Sequence, residues 1–355
     1  MATLHVTEPR SLVRKDGDTL IIDIPADQER GTEKRSVRVP LIKVEQVVIH
    51  GDSTVTSPAL ASLLEQRVEV CFLGHDGRFR GRLSPAFSKN SLVRIEQHRA
   101  YDAPERAFAL ARAFVYGKLA NMRTLLLRAN RKRNDAQVTE AATTLKTLLD
   151  RVAALSRQTC DPPPDPSAPQ AGSIEGTLMG LEGAATATYF GVFGRLLANG
   201  WLFERRTKRP PTDPVNALLS YGYVLLMHQV ATAVSVVGLD PYVGYLHAAK
   251  YGKPALALDL MEEFRPIIVD SVVLTLLNNG MLQPDDFAEE FGAYRLTDGG
   301  RRTFLAKFED RLNTEVEHPV FRYKATYKRC IELQARLLAK ALTGEIPQYQ
   351  PFLVR

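Results

Sequence analysis

The chain is poor in cysteine. Cys71, Cys160 and Cys330 are the only three in 355 residues, and they stand far apart. An odd, scattered set excludes a disulfide framework and any CxxC zinc pattern, so reduced structural thiols are expected. No unbroken apolar run approaches the 18 or more residues of a spanning helix. The opening MATLHVTEPRSLVRKDGD lacks the apolar centre of a signal peptide, and a cytoplasmic protein is expected. Common catalytic signatures are missing too: there is no GxGxxG, HExxH or GxSxG. The Gly252–Lys253 pair is not a Walker phosphate loop, because His247 stands where the first glycine belongs and Pro254 follows the lysine. Nucleotide hydrolysis and serine-hydrolase chemistry have no local support.

What is present is ordinary for a globular protein: 45% apolar and 24% charged residues. The length suggests two domains. A net charge of +6 favours an anionic partner. Basic residues gather in RANRKRN (128–134), FERRTKRP (203–210) and FRYKATYKRC with the ARLLAK that follows (321–340). Two of these clusters carry interleaved aromatics, which suits contact with a phosphate backbone.

The hydrophobic period changes along the chain and predicts an α+β protein. Residues 1–90 read as a small β-sheet domain. SLVRKDGDTLIIDIP has the alternation of a hairpin with its turn at KDGD, and VEVCFLG reads as a buried strand. SPALASLLEQR supplies one helix. After a linker at 91–97, residues 98–355 repeat apolar positions every three or four and read as a larger all-α catalytic domain. The stretch CDPPPDPSAPQAGS (160–173) cannot continue a helix and reads as a loop within that domain.

Chemistry concentrates in GYLHAAKYGKPALALDLMEEFRP (244–266). If ALALDLMEEF is helical, Asp259, Glu262 and Glu263 fall at i, i+3 and i+4, which puts three carboxylates on one face. Like charges at that spacing repel unless something positive sits among them. Pro266 predicts a kink or helix start nearby. His247 precedes on a separate segment and can fold back onto the acidic face. Two readings stand: a solvated acidic edge, or half of a metal site. Glu182 adds weight to the second, since it sits among Gly, Ala and Leu in LMGLEGAATATYFGVFGRLLANG, where close helix packing is expected to bury it. Carboxylate and imidazole ligands without thiolate suit Mg²⁺ or Mn²⁺. Such a cation beside a basic surface points to strand chemistry on DNA or RNA.

LEGAATATYF, DPVNALLSYGYVLL and GYLHAAKYGKPALALDLMEEFRP, in that order and spacing, resemble the C-terminal domain of CRISPR-associated protein 1. RVPLIKVEQVVIHG and the closing QARLLAKALTGEIPQYQPFLVR extend the likeness to nearly the whole chain, and the closing segment is similar to the subtype I-C branch. The resemblance implies an endonuclease and integrase that inserts spacers into a CRISPR array by metal-assisted transesterification. It implies Glu182, His247 and Glu262 as metal ligands, with Asp259 assisting catalysis. It also implies a homodimer, with the β-rich domain carrying dimerisation, that binds double-stranded DNA and joins CRISPR-associated protein 2. Lys250, Lys253, Arg265, Arg205, Arg206, Lys208 and Arg209 are the candidate phosphate contacts. The alternatives are a non-catalytic dimeric DNA-binding scaffold and a metal-dependent nuclease on branched DNA or RNA.

Overall fold

The computed structural model describes every residue except 1, 28–32, 75, 76, 78, 87–89, 157–173, 209, 249 and 355, and describes 2 and 174 by backbone alone. The loop expected at 160–173, Cys160 and Arg209 lie outside the described residues. The chain forms two compact units, Met1–Phe87 and Ser88–Arg355.

In the first unit, runs of valine and isoleucine form eight strands: β1 (Ala2–Val6), β2 (Leu12–Asp16), β3 (Thr19–Ile24), β4 (Arg35–Pro40), β5 (Val44–His50), β6 (Thr54–Val55), β7 (Glu69–Leu73) and β8 (Phe79–Leu83). One helix, α1 (Ser57–Glu65), joins β6 to β7. The strands make two four-stranded sheets, ordered β1-β5-β7-β8 and β4-β3-β2-β6. The first is parallel except for β8. The second is built on the β2–β3 hairpin, whose tight turn passes through Gly17 at φ 57. Glycine adopts that left-handed conformation without a Cβ clash. Val13, Leu20, Leu41, Val47, Ile49, Leu63 and Val70 close one apolar core, each contributing roughly 1.5–3 kcal/mol by leaving water.

The second unit is helical: α2 (Ser91–Asp102), α3 (Pro104–Asn130), α4 (Ala136–Ala154), α5 (Ile174–Phe193), α6 (Pro214–Val237), α7 (Ala255–Met261), α8 (Ser271–Asn278), α9 (Asp298–Leu312) and α10 (Tyr327–Leu342). Residues 91–97, expected as a linker, belong to α2 instead. The reason is local: Val93, Gln97 and Ala100 make a buried stripe, and the Gln97 amide donates to the carbonyls of Asp240 and Val243 at 2.8 Å each. Asp213 caps α6 by accepting from the Asn216 N–H at 2.8 Å, and Gly238 ends that helix at φ 100. By length and composition α6 could cross a membrane, yet 67% of its apolar window is buried against its own unit, as in a core helix.

Two short hairpins interrupt the helices, β9 (Phe287–Glu290) with β10 (Ala293–Leu296), and β11 (Glu315–Glu317) with β12 (Lys324–Thr326). Helical periodicity did not announce them. Each strand has only three or four residues, too few for alternation to stand out.

Candidate metal and catalytic site

Three stretches distant in sequence meet inside the helical unit: α3, α5 and residues 244–265. Asp259, fully buried on α7, organises the last of these. Its Oδ2 accepts the backbone N–H groups of Tyr245 (2.5 Å) and Leu246 (2.9 Å), and its Oδ1 accepts the N–H of His247 (2.9 Å). The same Oδ1 accepts His247 Nδ1–H at 2.7 Å. With both oxygens occupied, Asp259 orients the imidazole so that Nε2 looks outward. Carboxylates commonly fix a metal-binding histidine in this way. Gly244 makes the closure possible, because a Cβ there would stand 2.7 Å from Asp259 Oδ2 and from the Ala255 carbonyl carbon.

Glu262, 2% exposed, lies just beyond the end of α7. His247 Nε2 is 3.9 Å from its Oε1, Arg265 Nη1 is 3.2 Å from the same oxygen, and Lys118 Nζ is 2.8 Å from Oε2. Burial pushes the Glu262 carboxyl up, but the Arg265 and Lys118 charges outweigh it and hold the group down at about 2. Lys118, on α3 and buried, pairs also with Glu182 Oε1, which further accepts from Thr186 Oγ1 at 3.0 Å. Glu182 sits on α5 at the more open edge, its side chain 20% exposed.

The three carboxylates do not share one face. The α-helix stops at Met261, and the backbone resumes as a π-helical segment, Arg265–Asp270, with Pro266 near its start. Pi-helical turns often accompany functional sites. Between α7 and that segment, Glu263 turns away from Glu262 and into the core. Its Oε1 accepts from the Tyr349 hydroxyl (2.6 Å), and its Oε2 from the Phe352 N–H (2.6 Å) and the Gln334 amide (3.2 Å). Burial raises its carboxyl to about 8 against those donors. Asn121, on the same helix as Lys118, donates to the carbonyls of Glu263 (2.8 Å) and Phe352 (2.7 Å).

Five residues beyond Arg265 stands a further buried carboxylate, Asp270, which accepts from Tyr189 (2.7 Å) and Tyr223 (2.6 Å). Burial lifts it to about 6. The Tyr223 ring in turn carries the guanidinium carbons of Arg265 at 4.9 Å and Arg206 at 5.5 Å from its centroid. Arg206 also donates to Asn216 Oδ1 (2.7 Å) and Ser220 Oγ (2.9 Å), so its fork is committed to the protein rather than open to a phosphate. Arg265 is likewise committed, to Glu262 and Tyr223. Lys250, Arg205 and Lys208 are exposed, and Lys253 is half-buried. The Lys208 ammonium is held below its ordinary value, first by desolvation and then by the Arg265, Arg206 and Lys118 charges.

Glu262 thus stands between Glu182 and His247, tied to the first through Lys118 and 3.9 Å from Nε2 of the second, while Asp259 braces the imidazole and Glu263 belongs elsewhere. Among the described residues, however, no three His, Cys, Asp or Glu side chains close as tightly as metal ligands do. The position between Glu182 and Glu262 is taken by the Lys118 ammonium. A cation standing there is itself a test of fit: two carboxylates and an outward imidazole nitrogen form a donor set suited to a divalent ion. Sequence reading missed Lys118, Asn121, Tyr189, Tyr223 and Asp270. Lys118 was findable, since it interrupts the apolar stripe of α3 one turn after Phe114 and one turn before Met122. Asp270 was too, as the lone charge in PIIVDSVVLTLL.

Comparison with known proteins adds a second line of evidence. A family model described as CRISPR associated protein Cas1 matches residues 4–310. The chain is 38% identical over its full length to a CRISPR-associated endonuclease Cas1 of Thermus thermophilus and covers 98% of that protein. It is 40% identical over 99% of its length to a Cas4 exonuclease/Cas1 endonuclease fusion of Geobacter sulfurreducens, of which it spans 60%. Its fold is similar to that of a casposase bound to integration product, with a TM-score of 0.82, 24% identity and coverage of 99% of this chain and 93% of that one. The Cas1 protein of Thermotoga maritima gives a TM-score of 0.77 at 23% identity, covering 97% of each chain. A chain of a Cas6-RT-Cas1–Cas2 complex gives 0.75 at 27% identity, over 98% of this chain and 36% of that one.

Proposed function

Since the chain belongs to the Cas1 family of CRISPR-associated proteins, we propose that it is a metal-dependent DNA endonuclease and integrase that inserts spacer DNA into a CRISPR array by transesterification. One observation carries this: Glu182 and Glu262, from helices far apart in sequence, share a single cation, with the Nε2 of His247 facing the same carboxylate. Glu182, Glu262 and His247 would hold Mg²⁺ or Mn²⁺. When bound, such an ion polarises a phosphodiester, lowers the pKa of an attacking hydroxyl and stabilises the leaving oxygen. Asp259 keeps the His247 ring turned so that Nε2 is the nitrogen offered. Arg265 holds Glu262 in place, and its own fork is braced on the Tyr223 ring. Lys208, Lys250, Lys253 and Arg205 are our candidates for gripping the DNA backbone. Attack by a 3′-hydroxyl joins strands, whereas attack by water cuts them.

By the same membership we assign a homodimer acting in the cytoplasm on double-stranded DNA, together with a Cas2 partner like that of the Cas6-RT-Cas1–Cas2 complex. Subtype I-C rests on the closing stretch QARLLAKALTGEIPQYQPFLVR alone, and the genes flanking the coding sequence test it. A second reading, a non-catalytic DNA-binding scaffold, is favoured by the charge balance, because Lys118 and Arg265 already offset Glu182 and Glu262.

Glu182→Ala and His247→Ala separate the two readings. Each is expected to abolish Mn²⁺-dependent cleavage and strand joining while leaving circular dichroism unchanged. Activity persisting in both variants rejects the catalytic reading. Cutting of forked DNA or RNA, with spacer-like fragments never joined to a repeat, would leave a nuclease and remove the integrase.

A further inference from the structure

Lys118 has no task in the catalytic scheme above, yet it is one of the most costly residues in the helical unit. Its ammonium is taken out of water, with a side chain 4% exposed, on a helix stripe otherwise filled by Phe114, Val115, Leu119 and Met122. Leucine or methionine would fill that space without the desolvation penalty of an ion. What the ammonium does is touch Glu182 and Glu262 together. Without it, two carboxylates from separate helices would face each other and repel.

We infer that Lys118 is a resident counter-cation, exchangeable for the divalent ion: it holds Glu182 and Glu262 in position while the metal is absent and leaves their oxygens when the metal arrives. This rests on the metal reading of the same site. Two positive charges cannot share the same oxygens cheaply, so metal and ammonium exclude one another. The second cation nearby, Arg265, is not built to leave, since its guanidinium lies over Tyr223 at 4.9 Å. Lysine, a point charge on a flexible four-carbon stem, can swing aside. Lys118 is therefore a positioning residue that sets the concentration at which the site loads.

The test uses the full-length protein and Mn²⁺ titration calorimetry on wild type, Lys118→Met and Lys118→Arg. Removing the competitor is expected to tighten Mn²⁺ binding about ten-fold in Lys118→Met, a scale usual for groups bordering a metal. Mn²⁺ should also raise the melting temperature of that variant more than that of wild type. Lys118→Arg keeps a cation on the carboxylates and should bind no tighter than wild type. Unchanged or weaker binding by folded Lys118→Met overturns the exchange. If Lys118→Met fails to fold, wild type labelled with ¹³Cε-lysine and ¹³Cε1-histidine decides. The Lys118 signal, assigned by its loss in Lys118→Arg, must shift as Mg²⁺ is added. A Lys118 signal that stays put while His247 signals respond rejects exchange alone. Wild type that binds neither ion overturns both exchange and the metal reading.

Discussion

Glu262 and Glu263 are joined by one peptide bond and live in two different media. Glu262 meets a lysine, an arginine and an imidazole, and stays ionised down to about pH 2. Glu263 meets a tyrosine, a glutamine and a backbone N–H in a dry pocket, and its carboxyl rises to about 8. Residue type is the same, so the surroundings alone decide which carboxylate can serve an incoming cation and which one fastens the chain. Both stand just past the end of α7 at Met261, where the neighbours turn to different surroundings.

Substitutions at the two positions should therefore fail differently. The largest effect is expected from Glu262→Gln: metal-dependent DNA cleavage falls at least about 100-fold, more than loss of a supporting group usually costs, with the fold retained by circular dichroism. Next, Glu263→Ala leaves three buried donors, the Tyr349 hydroxyl, the Phe352 N–H and the Gln334 amide, without their acceptor and should cost about 3 kcal/mol in urea unfolding. Activity should then be recoverable at low temperature. A Glu263 variant as stable as wild type but inactive would erase the contrast.

The pH dependence sharpens it. The folded value for Glu263 lies above its ordinary 4.5, so the folded state holds a proton that the unfolded chain releases, and stability falls as pH rises toward 8. Asp270 titrates near 6, and His318, lowered to about 4 by burial, is neutral when folded but half-protonated at pH 6.5 when unfolded, so both have largely dropped out above about pH 7. Between pH 7 and 8 the metal-free protein should lose about 1 kcal/mol, and Glu263→Gln should flatten that slope. The smallest effect expected is Tyr223→Phe, which removes one hydrogen bond to Asp270 and should cost about 1 kcal/mol, read by the same unfolding assay.

Much of this organisation was legible in the sequence. The change from alternating to three-and-four spacing separated sheet from helix, and Glu182 betrayed itself as a charge among Gly, Ala and Leu. His247 was read as folding back onto the acidic face, but its bond to Asp259 was not read, since it depends on a loop closure that Gly244 permits. The supposed shared face of Asp259, Glu262 and Glu263 misled because an ideal helix was extended past Met261, where α7 ends in a tighter turn with the Glu262 N–H on the Asp259 carbonyl at 3.2 Å. Lys118 went unread for a different reason: a lysine in an amphipathic helix is ordinarily solvent-facing, and only its phase against Phe114 and Met122 says otherwise. No local pattern could join residues 121, 263 and 352, since those bonds form only after the chain has doubled back on itself.

That last junction has a consequence for biosynthesis. Asn121 and Glu263 wait for Tyr349 and Phe352, so the element that bears Glu262 is fastened only once residues 349–352 have left the ribosome and folded back onto it.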